Sequence, residues 1–153
     1  GGHAVRLTWS AAPTLPAAGP YMNNIPAEAG KTYTALVLVR CSKPQRVKFD
    51  VEHKPAAGAT VATTSARNVD VPANRMVTLL VVIFTQPAGT TRVQLSLFNA
   101  AGFPWEIGDW YEICGVMVVE GAFPDLRFAD PVTSTSWVWE GEAFGSTSTG
   151  PTP

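Results

Sequence analysis

Along most of this sequence apolar residues recur at every second position, and this repeat limits the fold more than any other feature. RVKFDVEHK and TRVQLSLFNA alternate apolar with polar residues, as in a β-strand with one buried face and one wet face. KTYTALVLVR and MVTLLVVIF are apolar on both faces, which predicts central strands between packed layers. No segment shows a 3.6-residue apolar period with helix caps. The chain is therefore expected to be all-β.

Turn-forming residues separate the apolar runs. HKPAAGAT and QPAGTT supply Pro and Gly between strands, and the long AAPTLPAAGPYMNNIPAEAG forms the first connection. About seven or eight strands at regular spacing, with no helices between them, predict a two-sheet antiparallel β-sandwich. The long first connection indicates a strand that crosses between the sheets, as in a jelly roll.

The chain divides into a sandwich and a C-terminal extension. We expect the β-sandwich domain at 1–124 and a small appendix at 125–144, where the alternation stops. Residues 145–153 are rich in Ser, Thr, Gly and Pro, which predicts a flexible tail. Trp137, Trp139 and Phe144 are expected to dock the appendix.

Charge and hydropathy exclude some partners. The chain carries 11 Lys and Arg against 12 Asp and Glu, with no basic cluster. The sequence therefore shows no positively charged patch that would attract nucleic acid or an anionic membrane surface. The longest apolar run, at 76–84, is far shorter than the ~20 residues of a membrane-spanning helix. Because the sequence starts without Met or a signal-peptide pattern, we expect it to be a piece of a longer protein.

Reactive side chains are scarce. His53 lies on the apolar side of its strand, which is typical of a core or edge histidine. Glu106, Asp109 and Glu112 cluster within one short segment and could supply the carboxylate pair of a glycosidase. No second carboxylate cluster or metal-ligand spacing accompanies them. The sequence therefore predicts a protein that is not an enzyme and that has no cofactor and no metal.

Two other groups of side chains receive a structural interpretation. Asp50 and Glu52 share a strand face with Lys48, which is typical of a solvated ladder of ion pairs. Cys41 and Cys114 lie in or beside apolar strands and are expected to be buried, reduced thiols. A disulfide between them remains possible, but nothing in their spacing requires it.

Aromatic residues around the last apolar strand carry the functional prediction. Trp110 shares a strand face with Glu112, and the preceding loop carries Phe103 and Trp105. A flat ring beside acceptors at the rim of a sandwich suits a pyranose, whose C–H face stacks on the aromatic face. The candidate glycan contact is Trp105, Trp110, Tyr111, Glu112 and Phe103. The alternative is that Trp105 and Trp110 plug the open end of the sandwich.

The last apolar strand has two faces of different character. Tyr111, Ile113, Met117 and Val119 fall on one face, with Gly115 between them. This set is wholly apolar, so it is expected to face the core. The face that carries Trp110 is then turned outward.

With AGKTYTALVLVRCS, NRMVTLLVVIF and GDWYEICGVMVVEGAFP in this order, the chain resembles a known family. It is similar to the jelly-roll, carbohydrate-binding-like domains in minor tail proteins of phages that infect actinobacteria. The closing WVWEGEAFGSTST is similar to the Ser/Thr-rich ending of those tail proteins. The resemblance covers nearly the whole chain.

This resemblance implies a galactose-binding-like sandwich and a virion location at the phage tail, reached after assembly in the host cytoplasm. It also implies contact with a host cell-wall glycan, other virion proteins as partners, and a homo-oligomer. Two alternatives stay open. The chain could be a purely architectural or decoration domain of the virion, or a carbohydrate-binding module of a secreted bacterial enzyme.

The chain departs from the family pattern in two places. Cys114, within EICGV, stands where members usually carry Asp, and an opening strand is absent before Gly1. In related carbohydrate-binding modules that Asp and the opening segment help to form a structural calcium site. The resemblance therefore does not extend to calcium.

Overall fold

The computed structural model describes residues 5–13, 19–65, 68–73, 78–124, 138–139 and 148–149. All regular secondary structure in this part of the chain is β-strand, as the alternation predicted. The strands are β1 (Val5–Thr8), β2 (Tyr21–Pro26), β3 (Thr32–Cys41), β4 (Gln45–Lys54), β5 (Ala62–Ser65), β6 (Val69–Val71), β7 (Thr78–Thr85), β8 (Arg92–Asn99), β9 (Trp110–Glu120), β10 (Val138–Trp139) and β11 (Ser148–Thr149).

The strands form two sheets of a sandwich. The first sheet has the order β1-β9-β3-β7, and the second has the order β2-β8-β4-β5, with β6 also paired to β4. All of these strands pair antiparallel. The predicted two-sheet antiparallel β-sandwich is therefore confirmed.

The core lies between the two sheets. Phe49 and Leu95 from the second sheet and Val37 from the first are fully buried there. His53 is buried with them, and its Nδ1 and Nε2 lie 2.8 Å from Gln86 Oε1 and 2.9 Å from Thr64 Oγ1. Both ring nitrogens thus have partners, which fits the predicted core histidine.

The MVTLLVVIF segment was wrongly predicted to be a central strand. In the part of the chain that the structure describes, β7 pairs with β3 alone and lies at the edge of the first sheet. Its alternate residues Val81 and Ile83 are opposite Leu36 and Thr34 of β3 on the outer face. On its outer side, Val81 and Ile83 lie beside Leu36 and Thr34 of β3, with Met117 and Val119 of β9 beyond them, so β7 contributes to an apolar region of that face.

A β-bulge divides β9 into two halves with opposite facing. The residues on either side of Cys114 pair with consecutive residues of β3, so Cys114 is the extra residue. Tyr111 and Ile113, before the bulge, face the core as predicted. Met117 and Val119 face outward, contrary to the prediction. One inserted residue turns every later side chain to the other face of the sheet.

The C-terminal extension is described only at β10 and β11, which pair antiparallel with each other. The predicted docking of the 125–144 appendix and the flexibility of 145–153 lie outside the described residues. Within the described ranges, no helix is long and apolar enough to cross a membrane.

Candidate functional site

The structure places two of the candidate glycan contacts in the core. Trp105 is only 3% exposed, and its ring centroid lies 6.0 Å from that of Trp9 and 5.7 Å from that of Tyr111. Tyr111 is 1% exposed. Neither ring presents a face to solvent, so both are corrected here from contact residues to core residues. The sequence placed Trp105 in a loop, and only the packing shows that this loop folds inward.

Arginine side chains cover the other two aromatic candidates. The guanidinium carbon of Arg6 lies 4.2 Å from the ring centroid of Trp110. Phe103 has Arg46 at 5.3 Å, on a different part of the molecule from Arg6. These are cation–π distances, so an arginine occupies one face of each ring.

Glu112 has both carboxylate oxygens engaged. Its Oε1 accepts hydrogen bonds from Arg6 Nε at 2.9 Å and Arg6 Nη2 at 2.7 Å. Its Oε2 accepts a hydrogen bond from Arg40 Nε. Hydrogen bonding to Arg40, and then to Arg6, outweighs burial and lowers the pKa of Glu112. Glu112 therefore holds β1 and β3 to β9 and has little capacity left for a sugar hydroxyl.

Asp109 and Glu112, two of the three clustered carboxylates, are engaged by cationic side chains. Asp109 accepts hydrogen bonds from Ser42 and from the backbone N–H of Glu106, and its Oδ2 lies 2.6 Å from Lys43 Nζ. Burial raises the pKa of Asp109, but the hydrogen bond from Lys43 and the other donors outweigh it and bring the pKa below its usual value. A general acid of this class needs a raised pKa. The pKa values of Asp109 and Glu112 are lowered instead.

The ion pair of Glu112 makes a pH-dependent contribution to stability. Because its pKa is lowered in the folded protein, its contribution is fully present above its unfolded pKa of about 4.5 and is lost as the pH falls through the folded value. Glu112→Gln should therefore reduce the acid sensitivity of unfolding below about pH 4.5. Urea denaturation at pH values from about 3 to about 7 measures the free energy of unfolding of both proteins. This range includes the usual pKa of carboxyl groups, about 4.

The comparison with Glu112→Gln is needed because the pKa values of Glu52, Asp70 and Asp109 are also lowered. Acid destabilisation of the wild type alone would not identify its source. If wild type and Glu112→Gln lost stability in parallel as the pH fell, Glu112 would not be responsible.

A second cluster lies on the outer face of the second sheet, away from the loop that carries Phe103 and Trp105. We call it the polar face. Tyr21 of β2, Ser96 of β8 and Asp50 of β4 are directly paired, so these three side chains form one row across the sheet. The next row pairs Glu52 with Gln94. The polar face comprises Tyr21, Lys48, Asp50, Glu52, Gln94, Ser96 and Phe98.

Asp50 is the most unusual residue of the polar face. It is only 5% exposed, and its Oδ2 lies 2.9 Å from Lys48 Nζ. Its Oδ1 is buried and has no hydrogen-bond partner among the described residues. Buried carboxylate oxygens are nearly always hydrogen-bonded, since desolvation of an unsatisfied acceptor is costly. The capacity of this oxygen to accept a hydrogen bond is therefore unused by the described residues.

An open groove of about 450 Å³ lies against Asp50. Lys48, Asn68 and Phe98 contribute to its lining, so the groove offers a cation, an amide and an apolar ring. Ligand sites commonly occupy ~300–1,000 Å³ and combine apolar walls with a few directed polar groups. The groove fits that description.

Glu52 holds the neighbouring row in place. Its Oε1 accepts hydrogen bonds from Ser96 Oγ at 2.7 Å and Gln94 Nε2 at 3.0 Å, and its Oε2 accepts one from Thr60 at 2.8 Å. Burial raises the pKa of Glu52, but these bonds and the charge of Lys54 outweigh it, so the pKa is lowered. The carboxylate stays charged at neutral pH and fixes Ser96 and Gln94.

Tyr21 adds an aromatic ring to the polar face. It is 62% exposed and is the one aromatic residue among the exposed large hydrophobic residues in the described part of the chain. The sequence did not predict this contact, because β2 lies inside the Pro-rich connection and has a register shift between Met22 and Ile25. Asp50 was predicted to belong to a solvated ladder of ion pairs, but it is buried. The available signal was that Asp50, Glu52, Gln94 and Ser96 are polar residues at the outward positions of two alternating strands.

Among the residues that the structure describes, no group of three or more His, Cys, Asp or Glu side chains is placed to hold a metal ion. The side chain of Cys114 lies outside this description. Cys41 is a free, fully buried cysteine, and burial raises the pKa of its thiol to about 12.

No protein-family model matches this chain, and no curated protein matches it. Several solved structures share its fold. Tailspike protein 4 of bacteriophage CBA120, in a structure of its enzymatically active domain, is 11% identical with a TM-score of 0.51, over 77% of this chain and 19% of that one. A chain of infectious bursal disease virus Gt strain is 13% identical with a TM-score of 0.51, over 77% of this chain and 29% of that one.

A family 16 carbohydrate-binding module is also similar. It is 14% identical with a TM-score of 0.48, over 75% of this chain and 74% of the module. At these identities the similarity concerns the arrangement of strands alone.

Proposed function

We propose that this protein is a carbohydrate-binding module and that the polar face of its second sheet is the glycan site. The observation that carries the proposal is the buried, unpaired Oδ1 of Asp50, a residue that lines an open groove and shares a row with the exposed ring of Tyr21. Sugars offer what these two groups need, since hydroxyls donate hydrogen bonds and C–H faces stack on aromatic rings.

The spacing of the row favours an oligosaccharide over a single sugar. Tyr21 and Asp50 are separated by the intervening strand β8, which corresponds to about 10 Å at the usual strand spacing. One sugar ring would lie in the groove, where Asp50 accepts a hydroxyl hydrogen and Lys48 donates to a neighbouring oxygen. A further ring would stack on Tyr21.

The proposal excludes catalysis by the carboxylates considered above. Glu112 and Asp109 are engaged by cationic side chains and have lowered pKa values, which suits structural ion pairs better than proton transfer. We therefore expect the protein to act by adhesion and not through these two carboxylates.

We further propose that the module belongs to a phage virion, as a minor tail component that contacts a host cell-wall glycan. This rests on the ordered motifs in the sequence, which resemble actinobacteriophage minor tail proteins. The fold is compatible with such a location, because a phage tailspike chain contains a similar sandwich. The origin of the module in a secreted bacterial enzyme is the competing assignment, and the fold is equally compatible with it.

Titration of the purified chain with oligosaccharides tests the glycan site. A glycan array that includes actinobacterial wall polysaccharide would select the probe, and calorimetry would measure affinity. Tyr21→Ala and Asp50→Asn should each weaken binding by about tenfold or more, equivalent to ~1.4 kcal/mol. Ile107→Ala is the matched control, because Ile107 is 70% exposed but lies outside the polar face.

Trp110→Ala tests the alternative that the glycan binds at Trp110 and not at the polar face. It should leave affinity unchanged, because Arg6 already covers the ring. If folded Trp110→Ala lost binding while Tyr21→Ala and Asp50→Asn bound fully, the glycan site would be assigned to Trp110 instead. Absence of binding to every array component would count against the glycan proposal.

An architectural role is the second candidate. On the edge strand β1, Val5 is 59% exposed and Leu7 is 42% exposed. Exposed apolar side chains on a sheet edge commonly mark contacts with other protein chains. A concentration-dependent mass in solution, without ligand and abolished by Val5→Asp, would favour assembly through β1 and support the expected homo-oligomer.

A further inference from the structure

The groove beside Asp50 is lined by a carboxylate and an apolar ring that are near neighbours on the sheet. Asp50 of β4 is directly paired with Ser96 of β8, and Phe98 lies two residues farther along β8. Asp50 and Phe98 are therefore diagonal neighbours on the polar face, at a usual separation of ~7–8 Å, which long and aromatic side chains can bridge. Both residues line the groove.

The charges of the described residues that line the groove balance each other. Lys48 and Asp50 are the two charged residues among them, and Lys48 Nζ lies 2.9 Å from Asp50 Oδ2. An acidic sugar would be repelled by the Asp50 carboxylate, and a basic sugar would be repelled by Lys48. The groove therefore favours an uncharged ligand group.

The lining residues also set the polarity that this group must have. Asp50 Oδ1 has no hydrogen-bond partner among the described residues, so it calls for a donor. Phe98 calls for an apolar contact. Lys48, whose side chain is 43% exposed, and Asn68, which is exposed, can each donate to an acceptor farther from the sheet. The complementary group has a donor and an apolar part on one side and an acceptor on the other.

An acetamido group has this arrangement. In a planar trans amide the N–H and the acetyl methyl group lie on the same side of the C–N bond, and the carbonyl oxygen lies on the opposite side. The N–H and the methyl group can therefore face Asp50 and Phe98 together, while the carbonyl oxygen faces the donors. A sugar hydroxyl can also donate to Asp50, but it carries no methyl group for Phe98.

We propose that the groove binds the acetamido group of an N-acetylhexosamine. The inference rests on the proposed glycan site and names the sugar that occupies its groove. The N–H donates to Asp50 after a rotation of the carboxylate turns Oδ1 toward the groove, and the methyl group packs on Phe98. The carbonyl oxygen accepts a hydrogen bond from Lys48 or Asn68.

NMR titration of the full chain with paired methyl glycosides tests this selectivity. N-acetylglucosamine and glucose form one pair, and N-acetylgalactosamine and galactose form the other, so each pair differs only in the substituent at C2. The acetylated member of at least one pair should bind about fivefold or more tightly than its partner, because it buries a methyl group and adds an amide donor. Saturation transfer from the protein should be strongest at the acetamido methyl protons.

Two variants locate the source of the preference. Phe98→Ala should lower the affinity for the acetylated sugar by about fourfold, the value of one buried methyl group, and change that for its partner by less than about twofold. Tyr21→Ala is the matched control. Tyr21 lies on β2, which β8 separates from Asp50, so a single sugar ring in the groove should bind this variant with unchanged affinity.

Equal affinities within both pairs would overturn the acetamido assignment, and so would a preference that persists in folded Phe98→Ala. If Phe98→Ala does not fold, saturation transfer to the wild type decides, and a signal centred on the ring protons would count against the assignment. Tighter binding of methyl glucosaminide, with its free amine, would show recognition of a cation by Asp50 and overturn it as well.

Failure of the proposed glycan site would look different. In that case no glycan would show binding that depends on Tyr21 and Asp50, whatever its substituent at C2. If a glycan without an acetamido group bound with that dependence while both acetylated sugars failed to exceed their partners, the glycan site would stand and this inference alone would fail.

Discussion

Trp105→Ala is expected to lower the free energy of unfolding by about 3–5 kcal/mol, the range for removal of a large buried aromatic side chain. Trp105 is 3% exposed and packs between Trp9 and Tyr111. The alanine variant would leave a cavity at this end of the core, because the surrounding strands can relax only partly. Urea denaturation followed by circular dichroism measures the change.

Phe103→Ala is the matched comparison, because Phe103 lies in the same loop but is only partly buried, beside Arg46. It should cost about 1 kcal/mol or less, since much of its surface is already in contact with water. Equal losses in the two variants would mean that Trp105 is not a core residue. A small loss in Trp105→Ala together with weakened glycan binding would restore it as a contact residue.

Tyr111→Ala should be destabilising by a similar amount, about 3–5 kcal/mol. Tyr111 is 1% exposed and lies opposite Cys41 in the first sheet. Burial raises the pKa of its hydroxyl well above the usual value. The ring packs in the core against Trp105. The loss of stability should therefore lower the denaturant concentration at the midpoint of unfolding.

Tyr111→Phe should behave in the opposite way to Tyr111→Ala. The Tyr111 hydroxyl is buried and has no hydrogen-bond partner among the described residues. Its removal relieves an unmet desolvation cost, so stability should rise or change by less than about 1 kcal/mol. A loss of about 2 kcal/mol or more in Tyr111→Phe would show that the hydroxyl has a partner, such as a buried water.

These two predictions concern residues that the sequence had assigned to a ligand contact. Aromatic residues in a loop rich in Gly and Pro are equally compatible with a core plug and a sugar platform, and both alternatives were open for Trp105. The structure resolves this through the loop path, where Gly108 N and Trp9 N form backbone hydrogen bonds with Trp9 O and Asp109 O. Those bonds hold the loop against β1 and turn the Trp105 ring inward.

For the polar face, the sequence showed which residues point outward but not which of them lie side by side. Asp50, Glu52, Gln94 and Ser96 were visible as outward positions of two alternating strands. Their pairing could not be known, since register depends on which strands become neighbours. β8 pairs with both β4 and β2, and only this arrangement joins Asp50 and Ser96 to Tyr21 in one row. The unsatisfied Asp50 oxygen is therefore a property of the tertiary structure.

The sequence by itself determined the all-β class and the two-layer sandwich, because alternation of period two can bury one side of a strand only against another sheet. It also determined which residues of β4 and β8 line the core. The tertiary structure decided the facing of Met117 and Val119, the burial of Trp105 and the exposure of Tyr21. A single bulge or a change of strand neighbour reverses such assignments, and neither leaves a mark on the periodicity of the individual strand.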